Sequence, residues 1–197
     1  MLHHFMIDIE TWDTAPTAVI RAIAIVGFNL NGTLNEMTLV DCRRTVDEQI
    51  QAGRTTSAET VDWWAKQSFG LGDLLVDTRH HATDTGIYQT EIVEPRCLAD
   101  VVRNVEDGLM AEDGEIRVWS RGHFDITILE NLLQAQGDPV PWRYSQVRDV
   151  RTLDEIIPPD MAQWEHHPLS DCLAQIRQVC MAMRMAKAAA SEAFNTH

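Results

Sequence analysis

The sequence predicts a mixed α/β fold, with a central sheet covered by helices. Three features carry this expectation. Apolar runs at 2–10, 19–30 and 33–41 read as strands, and the last two meet through Asn31-Gly32, a strong hairpin signal. Helical periodicity then alternates with short extended pieces, and a long amphipathic segment follows Pro168. Strands that come first and then alternate with helices suit a mixed sheet better than an all-α or all-β protein.

Each later element has its own signal. Thr56-Ser57-Ala58-Glu59 matches a capping box, so a helix carrying Trp63 and Trp64 is expected over 58–68. Leu98, Val101, Val102, Val105 and Leu109 repeat at helical spacing. A strand at 116–120 precedes a second helical pattern at Ile126, Leu129, Leu132 and Leu133, and an extended piece lies near 145–150. Proline suits a first helical turn, so the last helix is placed from Pro168 to about residue 193. Residues 70–82 read as a mobile loop.

With 197 residues, of which 45% are apolar and 23% charged, the chain is read as one domain, 1–197. Its longest apolar stretch, near 18–28, is interrupted by Arg21 and falls short of the roughly 20 residues that cross a bilayer, so no membrane span is expected. Asp8, Glu10 and Asp13 replace the basic start of a signal peptide, and a cytoplasmic location is expected. Cys42, Cys97, Cys172 and Cys180 lack C-x-x-C spacing and read as reduced, packed thiols. The net charge of −14 opposes tight coating of nucleic acid. It excludes an enzyme less, because an enzyme holds only a short segment at a site where bound cations supply positive charge.

Within Phe5-Met6-Ile7-Asp8-Ile9-Glu10, strand alternation puts Asp8 and Glu10 on one face. A bare D-x-E is more often an ordinary half-exposed strand. Asp125, after Ser120-Arg121-Gly122-His123, stands where a helix begins and has an ordinary reading as a cap. Asp171 lies in the first turn of the last helix, where a carboxylate complements the dipole. His166, five residues earlier and next to His167, would by itself be a solvated loop histidine.

Together these residues resemble the DEDDh exonucleases, the family of polymerase proofreading subunits and ribonuclease T, with motifs at Asp8 and Glu10, at Asp125, and at His166 with Asp171. Thr60-Val61-Asp62-Trp63-Trp64-Ala65-Lys66-Gln67 is similar to the T-x-x-W-W-x-x-Q stretch of the ribonuclease AS-like branch, which includes polyadenylate-specific and phage-encoded enzymes. The resemblance implies a ribonuclease H-like fold and 3′-to-5′ hydrolysis of single-stranded RNA or DNA, RNA slightly ahead, to nucleoside 5′-monophosphates.

It also implies two Mg²⁺ (or Mn²⁺) ions about 3.5–4 Å apart, since hard cations take carboxylate oxygens. Asp8 would bridge them, Glu10 and Asp171 would serve the ion beside the attacking water, and Asp125 would support the second. His166 would remove the water's proton. Thr11 and Trp12 are similar to positions that hold the terminal nucleotide, and an aromatic there suits stacking on a base. Trp63 and Trp64 point about 100° apart on a helix, so one is expected in the core. Met181, Met183 and Met185 are expected to pack the last helix, with a homodimer interface as the alternative. Two other functions fit the same residues: a non-catalytic binding or scaffold module, and a metal phosphohydrolase acting on nucleotides.

Overall fold

A computed structural model of the chain describes residues 2–67, 80–83, 86–110, 115–159 and 166–195. Its centre is a six-stranded mixed sheet built around strands β1 (Leu2–Thr11), β2 (Ile20–Phe28) and β3 (Leu34–Asp41), which pair antiparallel in succession. The tight connection between β2 and β3 turns at Gly32, which has φ +98°, a conformation glycine adopts without steric cost. Helices α1 (Val46–Gln51) and α2 (Ala58–Ala65) follow, then a small hairpin of β4 (His80–Thr83) and β5 (Gly86–Gln89), then β6 (Glu91–Val93). The chain continues through α3 (Leu98–Gly108), β7 (Glu115–Ser120), α4 (Phe124–Gln136), β8 (Val147–Asp149) and α5 (Pro168–Asn195). The sheet order is β6-β3-β2-β1-β7-β8, with β6, β7 and β8 each parallel to its neighbour.

Side-chain alternation divides the core into two layers. Phe5, Ile7, Ile9, Ile23 and Ile25 face α3 and α4, where Val101, Val102, Val105, Leu129 and Leu132 cover them. The opposite face, with Met6, Ala24, Val26 and Leu39, lies under Leu169, Cys172, Leu173 and Ile176 of α5. Asp8 and Glu10 share the parity of Met6, so they point to the α5 side. Their cross-strand partners on β2 are Ala24 and Ala22, small residues beside the carboxylates.

Several boundaries differ from expectation. Ser57, not Thr56, caps α2: its hydroxyl accepts the Thr60 N–H at 3.0 Å and pairs with the Thr60 hydroxyl at 2.8 Å. The helix ends at Ala65, and Ser68 lies outside the described residues. Within the expected loop 70–82, residues 80–82 belong to β4, and 70–79 lie outside the described residues. The extended piece near 145–150 narrows to β8 because one-turn 3-10 segments, Tyr144–Gln146 and Val150–Leu153, flank it. Sequence patterns did not reveal α1, β5 or β6, which are too short to show a period. All four cysteines are free, and Cys42, Cys172 and Cys180 are buried. Among the described residues no helix is long and apolar enough to cross a membrane.

Candidate active site

Three elements bring the four predicted carboxylates together. Asp8 and Glu10 come from β1, Asp125 from the start of α4, and Asp171 from the first turn of α5. They line one hollow of about 230 Å³ with Arg121, Phe124, Arg151, His166 and Gln175. Glu10, Asp125 and Asp171 are only 8%, 5% and 7% exposed, so their charges are largely withdrawn from water. His166 comes from the segment leading into α5. One ligand atom each from Glu10, His166 and Asp171 lies within 4.8 Å of the others.

Hydrogen bonds fix two of the carboxylates. The Ile9 N–H donates to Oδ1 of Asp125 at 3.1 Å, tying α4 to β1 across the parallel β1–β7 region. Asp125 therefore reaches across to β1 and is not simply a helix cap; His123 holds the N-cap position without a side-chain cap bond. Gln175 Nε2 donates to Asp8 Oδ1 at 3.0 Å. Gln175 has no motif of its own, but it follows Asp171 by four residues on α5 and therefore shares its face.

Crowding shifts the titrations upward. Burial, followed by the charges of Asp125, Glu10 and Asp171, raises Asp8 well above the usual carboxylate range, against the Gln175 hydrogen bond. Burial and the nearby Asp171 raise Glu10, and the Arg21 charge offsets part of this. Burial pushes Asp125 up to about 7 despite its Ile9 N–H bond. Buried carboxylates that raise one another's pKa form a donor set suited to a hard divalent cation, whose charge would let all of them ionise. The residues present therefore fit the expected ions.

His166 has φ +51°, the left-handed region where histidine is enriched among non-glycine residues. Its ring meets the Trp63 ring edge to face, with centroids 4.7 Å apart and planes at 89°. Burial lowers its pKa below 6.5 and leaves it neutral near pH 7. His167 instead immediately precedes α5: its carbonyl accepts the Asp171 N–H at 3.0 Å, and its Nδ1 lies 3.4 Å from the Ser170 N–H.

Beside the carboxylates, a second hollow is lined by Ile9, Glu10, Thr11, Thr60, Trp63, Trp64 and Phe124 among others. The two hollows share Ile9, Glu10 and Phe124 in their walls, so they adjoin along one cleft. Thr11 is buried in its wall; its hydroxyl donates to the Asp13 carbonyl at 2.6 Å, and its carbonyl accepts the Trp64 indole N–H at 2.9 Å. Trp12, the residue expected to stack on a base, has the Arg21 guanidinium 4.5 Å from the centre of its ring. The Trp64 ring also meets that guanidinium, with its centre 3.7 Å away. The two tryptophans of α2 divide as their angular separation implies: Trp64 is 5% exposed and Trp63 is 40% exposed.

Residues 3–183 match the model of the 3′-5′ exoribonuclease Rv2179c-like domain. The chain belongs to this family of 3′-to-5′ exonucleases. Its fold is similar to that of solved exonucleases at low sequence identity. The zinc-bound complex of E. coli exonuclease I with single-stranded DNA aligns at 11% identity and a TM-score of 0.61, over 95% of this chain and 42% of the other. The chain thus spans less than half of that enzyme. S. pombe Pop2p, in a form holding Mg²⁺ and Mn²⁺, aligns at 11% identity and a TM-score of 0.52, over 90% of this chain and 81% of the other. Cell-death related nuclease 4 aligns at 12% identity and a TM-score of 0.50, over 93% and 64%. The sequence matches no curated protein. Together the family and the sheet place the chain among exonucleases of ribonuclease H-like fold, the class that the motif order implies.

Proposed function

We propose that this chain removes nucleotides singly from the 3′ end of single-stranded nucleic acid, with RNA favoured over DNA, and releases nucleoside 5′-monophosphates. The carrying observation is the convergence of Asp8, Glu10, Asp125 and Asp171 with His166 at one end of an aromatic-lined cleft. A non-catalytic module would have no need of five such groups around one hollow, three of them buried. The family's description as exoribonucleases favours RNA.

Two divalent ions, Mg²⁺ or Mn²⁺, would be held by the four carboxylates and, when bound, would supply positive charge to the phosphate and its attacking water. Asp8, hydrogen-bonded by Gln175, interacts with the charges of Asp125, Glu10 and Asp171 and would be the ligand shared by both ions. Glu10 and Asp171 flank His166. In the reaction, a water oxygen forms a bond to phosphorus and the bond from phosphorus to the 3′ oxygen breaks. Neutral His166 accepts the water's proton, and the departing 3′ oxygen is protonated from solvent. Phe124 and Trp63 border the site on the side where the terminal base would stack.

Incubating 5′-labelled single-stranded RNA and DNA with the protein and Mg²⁺, Mn²⁺ or chelator tests this reading. A ladder shortening from the 3′ end, absent in chelator and faster for RNA, is expected. Cutting of circular strands, or phosphate release from mononucleotides, would show a different hydrolase.

A further inference from the structure

Two arginines border the carboxylate hollow, and their surroundings differ. Arg121 is committed: its guanidinium donates to both carboxylate oxygens of Asp154 at 3.2 and 2.7 Å, and approaches Gln178 Oε1 at 3.4 Å. Arg151 is exposed, and its side chain makes no hydrogen bond or ion pair with any of the described residues.

Its position is nevertheless built by the fold. One oxygen, Oδ1 of Asp149, accepts both the Gly122 N–H at 2.8 Å and the Arg151 N–H at 2.9 Å. This joins the turn after β7 to the 3-10 turn that carries Arg151. Buried Val150 and Leu153 anchor that turn on either side. The guanidinium then lies over Gly122, where a Cβ would come within 3.0 Å of Arg151 Cζ and Nη1. Gly122 also has φ +87°, so both its conformation and its missing side chain make the space. The charge of Arg151 acts on Asp125, pulling its carboxyl down against the effect of burial.

We propose that Arg151 is a substrate-binding residue whose guanidinium grips non-bridging oxygens of the terminal phosphate, the one that remains on the released nucleotide. A planar fork of N–H donors matches a phosphate in a way an ammonium does not. A local cation is also needed here, because a chain of net charge −14 repels a polyanion at long range. The inference rests on the exonuclease reading above.

Equilibrium dialysis with Mn²⁺ tests it, using a nucleoside 5′-monophosphate and the matching nucleoside as probes. Their affinity ratio isolates the phosphate from the base. The wild-type chain should prefer the monophosphate, and Arg151→Gln should lose about tenfold to hundredfold of that preference, the worth of a charge-assisted hydrogen bond. Nucleoside affinity should stay unchanged, and Arg151→Lys should keep part of the preference. An unchanged ratio in Arg151→Gln, or equal weakening of both probes, would overturn the assignment. Failure of the wild-type chain to shorten RNA from its 3′ end would instead overturn the exonuclease reading.

Discussion

The side-chain amide of Gln175 donates to Oδ1 of Asp8 at 3.0 Å, one helical turn beyond Asp171 on α5. This bond couples the helix to the central strand at the residue proposed above as the shared metal ligand. The other end of the amide, Oε1, is buried with no hydrogen-bond partner among the described residues. Among the described residues the Gln175 side chain hydrogen-bonds Asp8 alone, which suits a positioning role exerted through that carboxylate. Gln175→Ala should lower activity roughly 10–100-fold, the usual effect of removing a group that orients a metal ligand. A titration of activity against Mg²⁺ should show half-saturation at a higher concentration than in the wild type. Wild-type activity and Mg²⁺ dependence in this variant would remove Gln175 from the site's machinery.

Replacing Asp8 or Asp171 by Ala removes a proposed metal ligand without removing apolar core volume. Cleavage should fall by about 10³-fold or more, equivalent to losing roughly 4 kcal/mol of transition-state stabilisation. Each variant should melt no lower than the wild type in chelator, because one member of a repelling carboxylate group is gone. Near-normal turnover in either variant would defeat the carboxylate assignment.

Burial of these carboxylates sets a pH dependence. Asp125 titrates at about 7 in the fold against 3.8 for the free group. The folded chain therefore binds this proton more tightly than the unfolded chain does. The resulting stabilisation is fully present below pH 3.8 and is lost as pH rises through about 7. Asp8 and Glu10 are shifted in the same direction. In chelator, melting temperature should fall across this window, and Mg²⁺ or Mn²⁺ should restore it most at the upper end. Asp125→Asn should flatten the fall, and an unaltered pH profile in that variant would count against the shift.

What could be read from the sequence was whatever a single element encodes. Asp8 and Glu10 share a face by strand alternation alone, and Pro168 and Asp171 mark a helix start by local chemistry. What could not be read depends on meetings between distant segments. The Asp125 contact to Ile9 joins residues 116 apart, so a local reading saw only a helix cap. Arg21 looked like an interruption of an apolar run, yet it is 1% exposed because Trp12 and Trp64 enclose it. Gln175 carries no charge to attract notice, although its spacing from Asp171 was visible. Asp149 organises Gly122 and Arg151 from a strand three residues long, which leaves no pattern.

The two tryptophans of α2 should separate stability from substrate binding. Trp64 is buried against Arg21 and donates to the Thr11 carbonyl, so Trp64→Ala should destabilise by about 3–5 kcal/mol. Trp63 is 40% exposed, lines the cleft and touches His166. Trp63→Ala should leave the melting temperature nearly unchanged and raise KM, with base stacking worth about 1–3 kcal/mol. Thermal denaturation beside steady-state kinetics separates the two effects, and the same profile in both variants would refute the division.

Adjacent histidines provide the sharpest test of the proton-transfer role, because chemistry alone permits either one and the structure gives them different surroundings. A ring nitrogen of His166 lies within 4.8 Å of Glu10 and Asp171 ligand atoms, whereas the His167 carbonyl accepts the first-turn Asp171 N–H of α5. His166→Ala should cut the rate about 10²–10⁴-fold, the worth of a positioned general base. His166→Asn should do the same while tolerating the left-handed backbone at φ +51°, so a loss in both variants reports the imidazole and not the chain path. His167→Ala should cost far less activity. Burial lowers the His166 pKa, so the acid limb of the wild-type rate profile should lie below pH 6.5 and should change when His166 is replaced. The opposite pattern, with His167 essential and His166 dispensable, would put the final motif out of register and remove the reason for pairing His166 with Asp171.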